Sequence, residues 1–319
     1  MNAPVATWVP QARLLPALIL PAVLVALVIV AGLIQPSFLS VRNLQDILTQ
    51  AAPLCIVVIG QTFVVLVRGL DLSVASVMAT VAVIATSFNT TGNDALPQIF
   101  ALSLLLGLCV GLANGYLVVK RSVSPFLATL AMMTVLQGAR FYYTQGAPGG
   151  SLPAALRFLG TSKFLGLPAN LLLLLAILAV AAFFLARTAP GRKVYIVGGN
   201  PRAADLVGID SGRVTMLCYV ASSLLAAVAG LVLVGYVGSV DNWVGRGYEL
   251  DSIVAAVIGG VALTGGRGSP VNAVLGAVIL ILTFNFVVIV GLPVQAQLMI
   301  KGVVIIAAAT MFRRLATAS

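Results

Sequence analysis

From Leu14 onward the chain is a succession of apolar runs, each long enough or nearly long enough to cross a bilayer, divided by short polar gaps. A spanning helix needs about 20 consecutive apolar residues to bridge roughly 30 Å of hydrocarbon. The runs are continuously apolar and lack the period-two alternation of a membrane barrel, so the expected fold is all-α and polytopic. With 61% apolar and 8% charged residues in 319, no soluble class fits. Ten spans are expected, at about 14–34, 44–67, 72–88, 98–119, 125–141, 169–187, 214–237, 250–264, 271–290 and 295–312. Several are short and require local thinning, burial among neighbours or an incomplete crossing. The first run exceeds the core of a cleavable signal, and no convincing cleavage site follows it, so it stays as a first helix.

Basic residues decide the orientation, because Lys and Arg are retained on the cytoplasmic side. With the N-terminus inside, Arg13, Arg68, Lys120, Arg121, Arg187, Arg192, Lys193, Arg202, Arg213, Arg267, Arg313 and Arg314 face the cytoplasm. Arg42, Arg140, Arg157, Lys163, Arg246 and Lys301 then face outward. Twelve of the 18 basic residues against six place both termini in the cytoplasm. They also account for the net charge of +10 without nucleic acid. One membrane domain over 1–319 follows, with halves of about 14–141 and 169–312 joined by an outer segment, 142–168. That segment, rich in Gly and Pro, suits a cover over the outer mouth or a plain connection, and the connection is the simpler expectation.

The halves share a faint pattern. Gly69-Leu70-Asp71-Leu72-Ser73 opens the third span, and Tyr248-Glu249-Leu250-Asp251-Ser252 opens the eighth. A small-residue helix follows each, and the next span carries a lone amide, Asn114 in one half and Asn285 in the other. On this topology the third span runs outward and the eighth inward, so the halves are expected to be inverted repeats, an arrangement suited to alternating access.

Catalytic constellations are missing. The chain has no histidine, no Walker A sequence and no HExxH or GxSxG motif, so an enzyme or an ATP site of its own is not expected. Cys55, Cys109 and Cys218 all lie in apolar runs and read as small buried hydrophobes, not metal ligands. The Gly-rich stretch from Gly259 to Gly268 reads as a tight inner turn, since no Lys-Ser/Thr follows it. Gly107, Gly111 and Gly115 form a double GxxxG series for close helix packing.

Asp71, Ser73, Glu249 and Asp251 lie at span boundaries. Ionisable groups at membrane depth are costly and face a cavity or a partner, so these residues are candidates for a translocation pathway or gate. The plainer account is helix N-capping, or pairing of Asp71 with Arg68 and Glu249 with Arg246. Asn114 and Asn285 lie deeper and either meet a polar solute or bond across helices.

Residues 187–213 form the longest break in hydrophobicity and read as an exposed cytoplasmic contact surface, a loop followed by a short helix. Asn200 is the expected N-cap, Pro201 the first helical residue, and Gly208 the C-terminal stop. A solvated linker carrying positive-inside charge is the alternative.

Four ordered motifs then bear on identity: RGLDLSVASVMA, GLANGYLVVKRSVSPFLATLAMMTVLQG, GRKVYIVGGNPRAADLVGI and GYELDSIVAAVIGGVALTGGRGSP. Together, over about residues 40–311, they resemble the membrane permeases of bacterial ABC importers for monosaccharides such as ribose, xylose and arabinose. The resemblance implies an inner-membrane homodimer that translocates a pentose or hexose. A periplasmic sugar-binding protein would deliver the solute, and ATP with Mg2+ would be bound by a separate cytoplasmic ATPase, with no cofactor on this chain. It implies that the 187–213 segment couples to that ATPase, with Gly191, Asn200, Pro201, Ala203, Ala204, Gly208 and Ile209 on the motif. Asp205 and Val207 stand where the family usually has a basic residue and a Ser, and Ala75 where it has Gly. An ATPase-independent carrier or channel for a small polar solute is the competing class.

Overall fold

The computed structural model describes residues 14–164 and 166–293, with 295, 296, 299, 302 and 303, and its side chains are described from Leu20. The tenth expected span therefore lies almost wholly outside the described residues. So do Arg13, Lys301, Arg313 and Arg314. The helices are α1 Leu14–Ile34, α2 Val41–Leu66, α3 Val74–Ser87, α4 Leu96–Lys120, α5 Pro125–Thr144 and α6 Ala154–Thr161. After two-residue strands β1 Lys163–Phe164 and β2 Leu167–Pro168 come α7 Ala169–Arg187, α8 Ala189–Gly199, α9 Pro201–Leu206, α10 Ser211–Val237, α11 Tyr248–Ile258 and α12 Pro270–Ile289. The strands pair antiparallel, Lys163 with Pro168 and Phe164 with Leu167. The fold is all-α in every layer that carries weight.

Among the described residues, α2, α4, α7, α10 and α12 are long and apolar enough to cross a membrane. Shorter apolar helices accompany them. At 1.5 Å per residue, the 14 residues of α3 reach about 21 Å and the 11 of α11 about 16 Å, both less than the hydrocarbon thickness. The chain expected to cross at 250–264 is thus helical only to Ile258, and 259–269 follows as turns and irregular chain.

Helices α2 and α10 pack on each other and form the axis of the bundle. Helix α10 also lies against α4 and α3, and α2 against α12 and α11. Exchanging α2 with α10, α3 with α11 and α4 with α12 leaves this packing pattern unchanged. From Ala51 to Leu66 α2 is wholly enclosed, whereas α4 and α7 bury one stripe and present Leu105, Leu112, Leu175, Val180 and Phe183 outward. Lipid is the medium in which such faces are stable.

Close approach of α4 and α10 depends on the glycine series. A Cβ at Gly111 would lie 2.5 Å from Val220 Cα and 2.9 Å from Tyr219 O; one at Gly107 would lie 2.9 Å from Ser223 O. No rotamer relieves a clash with backbone. Gly111→Ile is therefore expected to destabilise the bundle by about 3 kcal/mol or more, read as a lower melting temperature in detergent, whereas Gly138→Ala, where a Cβ meets nothing within 4 Å, should leave it unchanged.

Pro53 sits buried inside α2 and cannot donate to the carbonyl of Thr49. Asn170 at the start of α7 donates its Nδ2 to that carbonyl at 2.9 Å, so the broken ladder position joins two helices. The 142–168 segment is tied to the α3–α4 connection by hydrogen bonds. Ala154 N–H donates to Thr91 O at 3.0 Å, and Ser151 and Ala155 N–H to the side-chain oxygens of Asn89 and Asn93, both at 3.0 Å. Helix α6 then lies on α10 where Gly160 and Gly235 meet backbone to backbone.

The bundle has two chemically distinct ends. One carries α8 and α9 with nine described basic residues (Arg68, Lys120, Arg121, Arg187, Arg192, Lys193, Arg202, Arg213 and Arg267) and two acids, Asp205 and Asp210. The end carrying α6 has five bases, Arg42, Arg140, Arg157, Lys163 and Arg246, against five acids, Asp46, Asp94, Asp241, Glu249 and Asp251.

Candidate functional site

At the basic end, residues 187–213 fold as two consecutive helices and not as a loop before one. Thr188 caps α8, its Oγ1 accepting from Gly191 N–H at 3.1 Å, and Pro190 lies in the first turn. Two glycines of α8 are contact points. A Cβ on Gly191 would run into Phe184 O at the end of α7, and one on Gly198 into Leu66 O at the end of α2. Val194 and Val197 fill the buried face between them.

Helix α9 is built as expected. Asn200 Oδ1 accepts from Ala203 N–H at 3.1 Å, and Pro201 begins the helix. Gly208 takes the left-handed conformation at φ +81°, while Ile209 N–H closes back on Ala204 O at 3.0 Å. Asp205 accepts from both the backbone N–H and the hydroxyl of Ser211, each at 2.9 Å, which holds its carboxyl below the usual carboxylate range. This side chain ties α9 to the start of α10. Ala204 is fully buried, but Leu206 and Val207 are 88% and 72% exposed. Two apolar side chains thus project from a rigidly held turn into solvent.

The pair is fastened to the bundle by Arg68. Its backbone reverses at φ +67°, and its guanidinium donates to Gly198 O (Nε, 2.7 Å) and Gly199 O. Gly266 N–H donates to Leu66 O at 2.9 Å, and Tyr195 hydroxyl to Gly268 O at 3.0 Å. The end of α8 is therefore lodged between the end of α2 and the turn after α11. The expected Arg68–Asp71 pair does not form, because the reversal at Arg68 sends its side chain to α8. Among the described residues the one ion pair is Arg213–Asp210, at 3.8 Å on the surface.

Asp71, Ser73 and Asn114 come together deep in the bundle. Asp71 Oδ1 accepts from Ser73 N–H at 3.0 Å and Ser73 Oγ at 2.6 Å; Asp71 Oδ2 accepts from Ser222 Oγ at 3.0 Å. Asn114 Nδ2 donates to Ser73 Oγ at 2.9 Å. Gln61, with its amide turned to suit its neighbours, accepts from Asp71 N–H at 3.2 Å and donates to Asp71 O at 3.1 Å. All five residues are fully buried, on α2, α4, α10 and the stretch entering α3. Irregular backbone between α2 and α3 is tolerable inside a membrane only when buried and satisfied, and this cluster satisfies it. Asp71 is not the N-cap of α3: that position is Ser73, and the carboxylate accepts from the N–H of Ser73 ahead of the helix.

Toward the other end, Asn285 exchanges amide hydrogen bonds with Asn43, both at 3.1 Å, joining α12 to α2. Asn285 and Asp251 also line a cavity of about 490 Å³ with Gln50, Tyr236 and Tyr248. Glu249 accepts from Gly247 N–H at 2.8 Å, and Arg246 lies over the Trp243 ring, 4.8 Å from its centroid, instead of pairing with Glu249. Glu249 lines a second cavity of about 410 Å³, together with Gln137, Arg140 and Trp243. Sequence reasoning missed Gln61, Ser222 and above all Arg140, which counted as an outward charge but is 5% exposed within the bundle. Its place at a predicted span end was the one signal available.

No solved structure matches the chain. The family model described as branched-chain amino acid transport system / permease component matches residues 43–309. The ribose import permease RbsC of Escherichia coli K12 is 36% identical over 279 residues, covering 86% of this chain and 87% of that protein. The RbsC of Bacillus subtilis 168 is 35% identical over 288 residues, 88% of each. The autoinducer 2 import system permease LsrC of E. coli K12/DH10B is 33% identical over 276 residues, 86% of this chain and 80% of that one. The chain belongs to this permease family, the multi-pass, non-enzymatic inner-membrane subunits of monosaccharide ATP-binding-cassette importers.

Proposed function

We propose that two copies of this chain form a pore that imports a pentose or hexose, with the α8–α9 pair docked on a cytoplasmic ATPase. A periplasmic binding protein would deliver the solute to the end that carries α6. The observation that carries this reading is the exposed Leu206–Val207 tip on a helix pair otherwise locked to the bundle. Apolar side chains on a rigid support are what a partner's groove requires, whereas a free linker would need neither the Arg68 fastening nor the cap at Asn200. Gly191, Asn200, Pro201, Ala203, Ala204, Gly208 and Ile209 shape and seat that pair. The greater basic charge at this end supports its cytoplasmic placement.

Alternating access is supported by the packing pattern that persists when the two halves are exchanged, and by the short helices α3 and α11 in equivalent places. ATPase closure would pull α8, and through Gly198 and Arg68 the ends of both α2 and α11 would move together. Asp71, Ser73 and Asn114 would hold four helices as one body during that motion. Glu249, Asp251 and Asn285 would border the pathway. ATP and Mg2+ would act on the partner alone. The relatives named for ribose and autoinducer 2 import favour a small neutral polyol as solute.

The test is uptake of radiolabelled ribose, xylose and arabinose into proteoliposomes holding this chain, candidate sugar-importer ATPases and their binding proteins. ATP-dependent accumulation of one sugar is the expected result. Equal uptake by this chain alone, without ATPase or ATP, would replace the importer reading with a secondary carrier.

A further inference from the structure

We propose that the cavity between α3, α5 and residues 242–249 is a transient binding station for a neutral polyhydroxylated ring. The proposal rests on the permease reading and assigns a place in the pathway to Gln137, Arg140 and Trp243, which that reading leaves unused. After α10 ends at Val237, the chain folds back until Gly245 (φ +78°) lies against α3, where a Cβ would sit 3.5 Å from Ala75 O. Ala75 and Ser76 belong to the first turn of α3, Glu249 to the first turn of α11. The cavity, about 410 Å³, is therefore walled by the beginnings of both short helices. Its size is at the lower end of ligand pockets.

The wall is chemically mixed and partly pre-set. Arg140 donates from Nη1 to Ser76 O at 3.0 Å and Thr80 Oγ1 at 3.3 Å, and from Nη2 to Asn242 O at 3.4 Å. Its Nε has no hydrogen-bond partner among the described residues, although the side chain is buried. Leaving a buried donor unpaired is costly, which marks the cavity's Arg140 wall as incompletely satisfied. Glu249 is oriented by Gly247 N–H and offers acceptors; Gln137 offers both a donor and an acceptor. Trp243, set edge-on to Phe141 at 5.7 Å and carrying Arg246 over its ring, borders the cavity with an indole. Hydroxyl groups both donate and accept, and the C–H face of a sugar ring suits an indole.

Two guanidinium groups and one carboxylate line the cavity, so an anion is the competitor to be tested against a neutral solute. The Nη groups of Arg140 already donate to main-chain oxygens, Arg246 lies over the indole, and Glu249 offers acceptors that a hydroxyl can satisfy and an anion cannot. A station on a pathway must also release what it holds, so half-saturation on the order of 1 mM is expected.

The chain has two tryptophans, Trp8 and Trp243, so Trp8→Phe leaves Trp243 as sole reporter. This full-length variant in nanodiscs would be titrated with ribose, xylose, arabinose, myo-inositol and glucuronate while Trp243 emission is followed. A saturable change with a neutral member, weakened about fivefold by Gln137→Ala at unchanged melting temperature, supports the station. No saturable change with any neutral member, a response to glucuronate alone, or indifference to Gln137→Ala overturns it. Proteoliposome uptake by the assembled importer separates the two readings. Transport without a Trp243 response leaves the importer standing and removes the station, and a response without ATP-dependent transport does the reverse.

Discussion

A Leu206→Asp, Val207→Asp double variant is expected to insert and fold like the parent chain and to lose its ATPase. Both side chains stand largely in solvent, 88% and 72% exposed, so replacing them removes little internal contact. Docked in a groove, each would be an apolar anchor of about 2 kcal/mol or more, and a carboxylate there would also lose its hydration. Weakening of about 100-fold or more follows, enough to abolish co-purification in detergent and ATP-driven uptake together. Arg202→Ala on the same helix should have a far smaller effect, as expected of a solvated charge at an interface rim. If the double variant retains its ATPase at parental affinity, α9 is not the docking element.

The second large effect concerns Asp71, where two substitutions part company. Asp71→Leu removes the acceptor for Ser73 N–H, Ser73 Oγ and Ser222 Oγ within a region that water does not reach. Each orphaned donor costs about 1–3 kcal/mol, so a loss of several kcal/mol and aggregation on size-exclusion chromatography are expected. Asp71→Asn keeps one oxygen for Ser73, and the Ser222 hydroxyl can rotate to accept from the new amide. That variant should stay monodisperse and retain most of its transport. Monodisperse Asp71→Asn without transport would show instead that the carboxylate itself takes part in translocation.

Legibility in the sequence followed the kind of signal each element carries. Continuous apolar runs marked α2, α4, α7, α10 and α12, because hydrocarbon demands length and composition alone. The termini of α9 were readable as well, since Asn200, Pro201 and Gly208 act within a few residues of themselves. Helix α8 was not, because Gly191 and Gly198 carry the same letters whether they loosen a loop or admit a neighbouring backbone. Adjacent charges misled in the same way. Arg68 stands three residues before Asp71 yet reaches Gly198, 130 positions away, through a left-handed turn that no local pattern marks. The gathering of Gln61, Ser73, Asn114 and Ser222 about Asp71 depends on how four helices cross, which is information a single chain of letters does not contain. Arg140 shows the limit most clearly: counting charges places it outside, and packing places it within.

If α9 docks as proposed, its two faces separate choosing a partner from obeying it. Ala204 and the lodged end of α8 address the bundle, while Leu206, Val207 and Arg202 address whatever lies beneath. On the proposed docking, substitutions on the outward face would alter which motor is accepted without disturbing the lever that conveys its stroke. A transporter so arranged is free to exchange its engine over evolutionary time, and for the same reason it should accept a redesigned one in the laboratory with its pore sequence left intact.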